Sequence, residues 1–442
     1  MQVFLIALYV GFIGLLLVAA TFTLGWMLYA WRGPQAHKGL GFAPTKSRPA
    51  LSFSLIVPAR HEEAVLGATL EGLSRITHPS FEVLVVVGDD DSATMAIAED
   101  ASRNAPDLIR VVVDHGSPKN KPKALNTALP YCRNEIVGVF DAEDDVHPGL
   151  LSAVDHHFQA TGSDVVQGGV QLMDYQSHWY SAHNALEYVF WFKSRLHFHA
   201  DYGFVPLGGN TVFVKRDLIT AARGWDESCL AEDCELGIRL SAEGAKISVC
   251  FDPDLVTREE TPATTAELSR QRTRWNQGFL QVLRKGRWRE LPLGSQRRLA
   301  QLALSLPFFQ ALVAVFIPVS LVMILFVEVP VWLALLSFLP LIPTLGAVSI
   351  QLVGLGDFGR TYGPKARLRD YASLVLAVIP YQLVLAYSAA RAVLRESRGI
   401  GGWEQTIHHG THRRIETDIV IDLTDESVAS QASERDRSDE RV

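Results

Sequence analysis

Cysteine is scarce in this chain: there are 4 in 442 residues, at Cys132, Cys229, Cys234 and Cys250. No two of them have CxxC or zinc-ribbon spacing. Neither a structural zinc nor a disulfide framework is therefore expected, and the four read as reduced thiols in a cytosolic compartment. Positive charge is not in excess either, with 41 Lys and Arg against 48 Asp and Glu and a net charge of −7. Without a basic field, nucleic acid is not expected as a partner. Charge of either sign is missing altogether from Val3 to Trp31, a run of roughly 29 residues. At about 1.5 Å per residue this run exceeds the ~30 Å hydrocarbon core, so it is expected to span with tilt. No basic segment precedes it, which argues against a signal peptide.

What is present is unevenly spread. Hydrophobic residues make up 48% of the chain and the mean hydropathy is +0.13. The excess sits in Gln2–Trp31 and Ala300–Leu394, while Leu51 to Arg298 reads as an ordinary globular sequence. Arg32, Lys38, Lys46 and Arg48 follow the first run and place the next domain in the cytosol by the positive-inside rule. Three more apolar segments follow, at about Ala300–Val327, Val329–Val353 and Tyr371–Leu394. The connector Asp357–Asp370 carries Arg360, Lys365, Arg367 and Arg369 and fits a cytosolic loop. If all three segments cross, the tail ends outside, whereas Arg391, Arg395, Arg398, Arg413 and Arg414 argue for inside. A re-entrant or interfacial segment would reconcile the two, and Pro307, Pro318, Pro340, Pro343 and Pro380 permit broken helices. The expected organisation is a transmembrane helix over 1–32, a cytosolic domain over 50–285 and an interfacial helix over 286–299. A membrane region follows over 300–396, then a polar tail over 397–442 that is disordered from about 418. Such a chain is a multi-pass protein of the plasma membrane.

The globular part alternates between two hydrophobic periods. Strands are expected at Phe53–Val57, Phe81–Val87, Leu108–Val113 and Glu135–Phe140, with helix-compatible runs between them such as Glu62–Ile76. This rhythm predicts an α/β fold with a doubly wound, mostly parallel sheet, which binds ligands beyond the carboxyl ends of its strands. Three polar clusters fall at such ends. Pro58-Ala-Arg-His-Glu-Glu63 can offer backbone groups and Glu62 to a nucleobase, or simply supply acids to a helix start. Asp89-Asp90-Asp91 repel one another unless solvated, capping, or bound to a cationic or hydroxylic group. Asp141-Ala-Glu-Asp-Asp145 spaces acids so that they can share Mg²⁺ or Mn²⁺ with substrate phosphate oxygens.

Three further clusters lie elsewhere. In Asn120–Asn126, Lys121 and Lys123 oppose a helix dipole, which makes sense if they face phosphate. Leu230–Leu236 opens a helix; its Asp233 can take a proton from an attacking hydroxyl, or belong to ordinary acid enrichment in a first turn. In Gln271-Arg-Thr-Arg-Trp275, Arg274 can stabilise a departing diphosphate and Trp275 can stack on a sugar ring. The same segment is compatible with an amphipathic helix at the headgroup level.

In this order, PARHEE, GDDDS, NKPKALN, FDAEDD, GGNTVF, AEDCELGIRL and QRTRW resemble the cellulose-synthase-like branch of family 2 glycosyltransferases. That branch includes hyaluronan, chitin and poly-N-acetylglucosamine synthases, and the likeness covers about Ser52 to Leu283. The resemblance implies a GT-A fold with flanking transmembrane helices, a nucleoside-diphosphate sugar donor (a UDP-sugar), Mg²⁺ or Mn²⁺, and inversion at the anomeric carbon. The implied acceptor is a growing polysaccharide, with a single addition to a lipid as the alternative. A non-catalytic receptor or assembly protein keeping the fold is the reading of another class. By position, Pro58, Glu62, Asp89, Asp90, Lys121 and Asp141 would bind the nucleotide-sugar. Asp141 and Glu143 would hold the metal, with Asp144 as a helper. Asp233, beside Glu232, would be the catalytic base, and Gln271, Arg274 and Trp275 would line the acceptor and diphosphate site. The chain departs from the pattern at Glu143, where a second aspartate is usual, at Asp91 for glycine, and at His61 for asparagine.

The resemblance would place the aromatic segment Trp179–His199 beside an acceptor channel; a helix packed on the sheet is the plainer reading. Trp403–His408 resembles a family segment near the active site. His408, His409 and His412 have metal-compatible spacing but read as an unattached cluster in a polar tail.

Overall fold

The computed structural model describes residues 2–30, 48–326, 330–404 and 408–413. The basic segment Arg32–Lys46 and the stretch expected to be disordered lie outside the described residues.

Helix α1 (Gln2–Tyr29) precedes the globular domain, which the chain enters through β1 (Phe53–Ala59), α2 (Leu66–Ser74) and β2 (Phe81–Gly88). It continues through α3 (Ser92–Asn104), β3 (Ile109–Asp114), α4 (Lys121–Ala128) and β4 (Ile136–Val139). Strands 1, 2 and 4 are buried along almost their whole length, as strands covered on both faces must be. Next come α5 (Leu150–Thr161), β5 (Val165–Gly168), β6 (Val170–Leu172), α6 (Ser181–Phe190), a π-helical turn Trp191–Arg195 and α7 (Leu196–Asp201). The domain closes with β7 (Val212–Lys215), α8 (Arg216–Ala221), α9 (Glu232–Ala242), β8 (Ile247–Cys250), β9 (Thr257–Glu259) and α10 (Thr265–Lys285).

Seven strands form one sheet in the order β3-β2-β1-β4-β7-β5-β8, and β6 pairs with β9 separately. Period-two alternation divides the core. Phe53, Leu55, Val57, Val83 and Val85 pack on one face against Leu66, Leu70, Leu151 and Val154. Ile56, Leu84, Val86 and Val137 pack on the other against Leu125, Ile219, Leu236 and Leu240. The one reversed strand is β7, antiparallel to both β4 and β5. Because Val139 pairs with Val212, the residues entering β7 lie beside those leaving β4. That reversal brings Gly208–Asn210 to the carboxyl edge, where the acids after β4 emerge.

The remaining helices are α11 (Gly294–Phe326), α12 (Val331–Ser337), α13 (Leu341–Thr361) and α14 (Leu368–Ser397). The stretch 286–299, expected as an interfacial helix, is instead a short turn at Arg287–Glu290 followed by the start of α11. Among the described residues, Ile6–Tyr29, Val331–Thr361 and Leu368–Ser397 are long and apolar enough to cross a membrane. The end of α1, the start of α11 and the end of α13 all touch the catalytic domain. Tyr29 hydrogen-bonds Asp201, Gln296 donates to the Tyr202 carbonyl at 2.8 Å, and Phe358 stacks edge-on to Tyr175 at 5.3 Å.

Helix α14 differs from the others. Its first turns meet the domain through Gln176–Asp370 (2.9 Å) and His183 against the Leu374 carbonyl (2.9 Å). Its middle meets α10 through Ser388–Ser269 (3.0 Å), and its end through Arg395–Gln277 (3.0 Å) and Glu396–Arg284 (2.6 Å). It lies along α10 from end to end. Its outward face presents Leu376, Ile379, Leu383 and Tyr387.

Candidate active site

At the carboxyl edge of β1, Pro58 lies within the strand and Glu62 follows it, buried. Both line a cavity of about 1110 Å³. Beyond β2 the chain turns into α3, with Asp91 capping it by accepting from Thr94 N at 3.2 Å. The turn leaves Asp89 and Asp90 on the rim. Asp89 pairs with Lys119 at 2.7 Å and Asp90 with Arg60 at 2.8 Å, which holds the Asp90 carboxyl down at about 2. Neither of these two acids, expected to bind the nucleotide, lines the cavity; their partners Lys119 and Arg60 do, together with Asp114 at the end of β3.

Directly after β4, Asp141 and Glu143 face the cavity. Asp144, expected as a helper for the metal, turns inward and shapes the loop instead. It accepts from Asp141 N at 2.8 Å and from Asn210 at 3.0 Å. Glu259, at the end of β9, completes the group: one oxygen each from Asp141, Glu143 and Glu259 lie within 4.8 Å of one another. Burial, with Asp141 and other acids nearby, pushes Glu143 up to about 8 and Glu259 to about 7. The rise comes first from burial and only then from neighbouring acids, and three hard oxygen donors at this spacing fit a divalent cation such as Mg²⁺ or Mn²⁺.

Asp233 sits in the first turn of α9, where the helix dipole favours an anion, and accepts from Cys234 N at 2.7 Å. Burial raises its pKa, while Lys121 and Arg274 draw it back. Burial also lifts Glu232, beside it, to about 8. Lys121 begins α4, whose N-terminus Asn120 caps by accepting from Lys123 N at 3.0 Å. Its ammonium binds Asp141 and opposes its own burial through Asp141, Glu232 and Asp233 together. The approach is close enough that a methyl on Gly209 would lie 3.3 Å from Asp233 Oδ2 and 3.4 Å from Lys121 Nζ. Asp141 and Asp233, distant in sequence, therefore meet around one lysine.

The third wall is α10, started by a capping box in which Thr264 and Glu267 bond each other's backbone N–H groups at 3.1 and 3.2 Å. Gln271, Arg274 and Trp275 fall on one face at helical spacing and line the cavity. Gln271 Oε1 is buried without a partner, and the Trp275 ring lies 6.3 Å from Tyr188. Arg274 stacks on Trp403 at 4.6 Å. The tail returns here too. His408 bridges Glu62 at 3.2 Å and Glu143 at 3.1 Å. Burial works against its charge, but Glu143 and Glu62 lift it to about 10. Arg413 braces the loop after β4, donating to the carbonyls of Glu143 and Asp144 at 3.0 and 2.8 Å. The histidines read as an unattached tail cluster are thus packed on the domain, with His412 buried as well.

The profile of the family described as "Glycosyltransferase like family 2" matches residues 49–278, more than half of the chain. The chain belongs to that family. The beta-monoglucosyldiacylglycerol synthase of Synechocystis sp. is 29% identical over 295 residues, covering 62% of this chain and 60% of that protein. The probable glycosyltransferase YdaM of Bacillus subtilis is 26% identical over 251 residues, covering 52% and 56%. The chain spans between 49% and 60% of the length of the curated relatives it matches. Among solved structures, the mannosyltransferase PcManGT from Pyrobaculum calidifontis superposes with a TM-score of 0.51 at 17% identity, covering 88% of this chain and all but 1% of its own. The domain has the GT-A fold.

In this family 2 domain, sequence reasoning placed Pro58, Glu62, Lys121, Asp141, Glu143, Glu232, Asp233, Gln271, Arg274 and Trp275, and all of them line one cavity. It missed Arg60, Lys119 and Asp114 at the base end, and Glu259 and His408 beside Glu143. Asp114 carried a signal, being the acid at the end of the third strand. Glu259 carried none beyond residue type, whereas His408 ends the Trp403–His408 segment whose resemblance already pointed to the active site. In the segment Trp179–His199, Phe192 and Leu196 pack on the sheet while Glu187, Tyr188 and Trp191 face the cavity.

Proposed function

We propose that the chain transfers a sugar from a UDP-sugar to a hydroxyl of a membrane lipid, with inversion at the anomeric carbon, on the cytosolic face of the plasma membrane. The observation that carries this reading is the continuity of the cavity. From Asp141, Glu143 and Asp233 it runs past Trp275 and Trp191 to a wall of Ile13, Leu16 and Ala20 on α1, Val313 on α11 and Leu341 and Val348 on α13. The aliphatic side chains of this wall suit acyl chains, while Thr23, Gln310, Thr344 and Gln351 among them can meet the polar part of a lipid or a glycan. A relative whose name gives it a lipid product supports the same reading.

Each wall has a task. Pro58, Glu62, Asp114 and Arg60 face the nucleoside. Lys121 and Arg274 offset the diphosphate charge, which grows as the sugar departs. Asp233 accepts the acceptor proton while the oxygen attacks the anomeric carbon from the side opposite the leaving diphosphate. Trp275 presents a flat face to a ring, and the free Gln271 oxygen accepts from a hydroxyl. Asp141, Glu143 and Glu259 would hold Mg²⁺ or Mn²⁺, which when bound would neutralise the diphosphate. Helices α1, α11 and the α12–α13 pair cross the bilayer, and α14 lies along its cytosolic surface with its apolar face in lipid.

A growing polysaccharide is the second reading, favoured by the Trp275–Tyr188 aromatic pair beside the base. Product analysis decides between the two. Full-length protein in nanodiscs, given labelled UDP-sugars, should yield a solvent-extractable lipid bearing one sugar. A water-soluble polymer made without labelled lipid overturns the lipid reading.

A further inference from the structure

Arg195 closes the π-helical turn and lines the cavity where the catalytic domain gives way to the membrane helices. Its guanidinium stacks on two indoles, with Cζ 4.0 Å from the Trp26 ring centre and 4.7 Å from that of Trp191. Nε and Nη2 are sealed from solvent and meet no acceptor. Trp26 Nε1, contributed by α1, is buried and unpartnered as well. Among the described residues no carboxylate pairs with Arg195. Arg272, also largely buried, shows the contrast, with Glu187 at 2.6 Å. Stacking on indoles compensates the faces of a guanidinium but leaves its in-plane N–H groups open. Burial pulls its pKa down to about 10, which leaves it charged at neutral pH. Arg195 as a whole is half-buried, but two sealed donors of a cation without acceptors are costly unless something in the cavity supplies the acceptor.

The position gives that use. The Trp191 ring lies 6.5 Å from Phe279, one turn beyond Trp275 on α10, and Arg195 is near enough to Cys234, the residue after Asp233, to act on it electrostatically. The donor diphosphate already has Lys121 and Arg274. An anion at Arg195 would instead belong to the acceptor, with acyl chains toward α1 and a headgroup hydroxyl toward Asp233.

We propose that Arg195 and Trp26 form an anion subsite for the acceptor, which is therefore a phospholipid with a hydroxylated headgroup rather than a neutral lipid. The inference rests on the lipid-acceptor reading and narrows it. Planar guanidinium donors suit a phosphate diester in particular.

Lipid retention by the purified full-length protein, measured by native mass spectrometry, tests the subsite apart from turnover. Phosphatidylglycerol should be retained in preference to diacylglycerol. Arg195→Gln should weaken that retention roughly ten- to hundredfold, as loss of a charged hydrogen bond does, and Arg195→Lys should keep most of it. UDP-sugar binding should be unchanged in both variants, which also shows that they fold. Equal retention in wild type and R195Q, or no preference over diacylglycerol, overturns the subsite. Saturation by inorganic phosphate with no preference for the lipid makes it a free-phosphate site and overturns the lipid assignment. Transfer to diacylglycerol without selective retention of phosphatidylglycerol overturns the subsite and leaves the broader reading intact. A polymer product with Arg195-dependent retention keeps the subsite and removes the lipid-acceptor reading.

Discussion

Replacing Gly278 by alanine should separate the two halves of the catalytic site. Gly278 lies on α10 one turn beyond Arg274 and Trp275. A Cβ there would stand 2.4 Å from Ala231 Cβ, 2.6 Å from Ala231 N and 3.0 Å from the Leu230 carbonyl carbon. Ala231 and Leu230 lead directly into Glu232 and Asp233. Non-bonded carbons settle at about 3.5–4.0 Å, so the helix and the loop must part by at least about 1 Å. Two effects on stability oppose each other. Alanine is better than glycine in a helix interior by roughly 1 kcal/mol, whereas overpacking a tight contact costs about 1–3 kcal/mol. The clash is against backbone on one side, so the second should win by about 1 kcal/mol. Activity should suffer far more, because a misplacement of about 1 Å between base and acceptor wall can cost roughly a hundredfold in rate. Gly72→Ala is the control: it lies in α2 with nothing within 4 Å of the added methyl, and should leave both properties intact or slightly raise the melting temperature. Thermal melting and nucleotide release from a UDP-sugar would be measured side by side. A G278A protein that melts several degrees higher and turns over at the wild-type rate would refute the close contact and its role.

Asp233→Asn should lower transfer by about 10²–10⁴-fold with an unchanged melt; wild-type turnover in this variant removes the base. Since Lys121 favours the ionised form of Asp233, Lys121→Met should raise that pKa and move the acidic limb of kcat/KM to higher pH. A limb that stays in place would uncouple the two. Chelation should abolish transfer and Mn²⁺ or Mg²⁺ restore it, with Glu259→Gln demanding more added metal; full activity in chelator would remove the cation from the mechanism. Because the four native cysteines are buried, a membrane-impermeant maleimide on sealed vesicles should label His409→Cys together with Arg103→Cys, and Val331→Cys only from the opposite face. Labelling of His409→Cys with Val331→Cys would make α14 a crossing.

The first four strands were readable because a buried parallel strand is a continuous apolar run, and Phe53–Val57 and Phe81–Val87 are such runs. The acids at their ends followed from the sheet's polarity. What could not be read is what the chain brings back from afar. β7 is a four-residue strand whose reversal depends on pairing with β4 and β5, and that reversal sets Gly208–Asn210 beside Asp141. Glu259 reaches Glu143 only because β9 pairs with β6, a three-residue contact with no local signal. The position of Asp89 and Asp90 was hidden for the opposite reason: the sequence shows an acidic run at a strand end but not that Arg60 and Lys119 hold it on the rim. In α14, apolar length concealed a helix with two partners. Leu376, Ile379 and Leu383 face away from the domain, while Ser388, Arg395 and Glu396 grip α10.

Charge explains why these distant pieces converge. Glu62, Glu143, Glu232, Asp233 and Glu259 all have pKa values raised chiefly by burial, and Asp141 lies among them. Against six carboxyl groups the domain itself sets Lys121 and Arg274, and the tail adds His408, held as a cation between Glu62 and Glu143. Burial counters the crowding by lifting Glu143, Glu232 and Glu259 toward neutrality, and a diphosphate would add negative charge at the same edge. Asp141, Glu143 and Glu259 are spaced to accept a cation, which would offset the charge of a bound diphosphate. The tail residues 408–413 pack on the domain at this same edge, through His408 and Arg413. At the other end of the cavity the sign is reversed, and there Arg195 Nε and Nη2 meet no acceptor among the described residues.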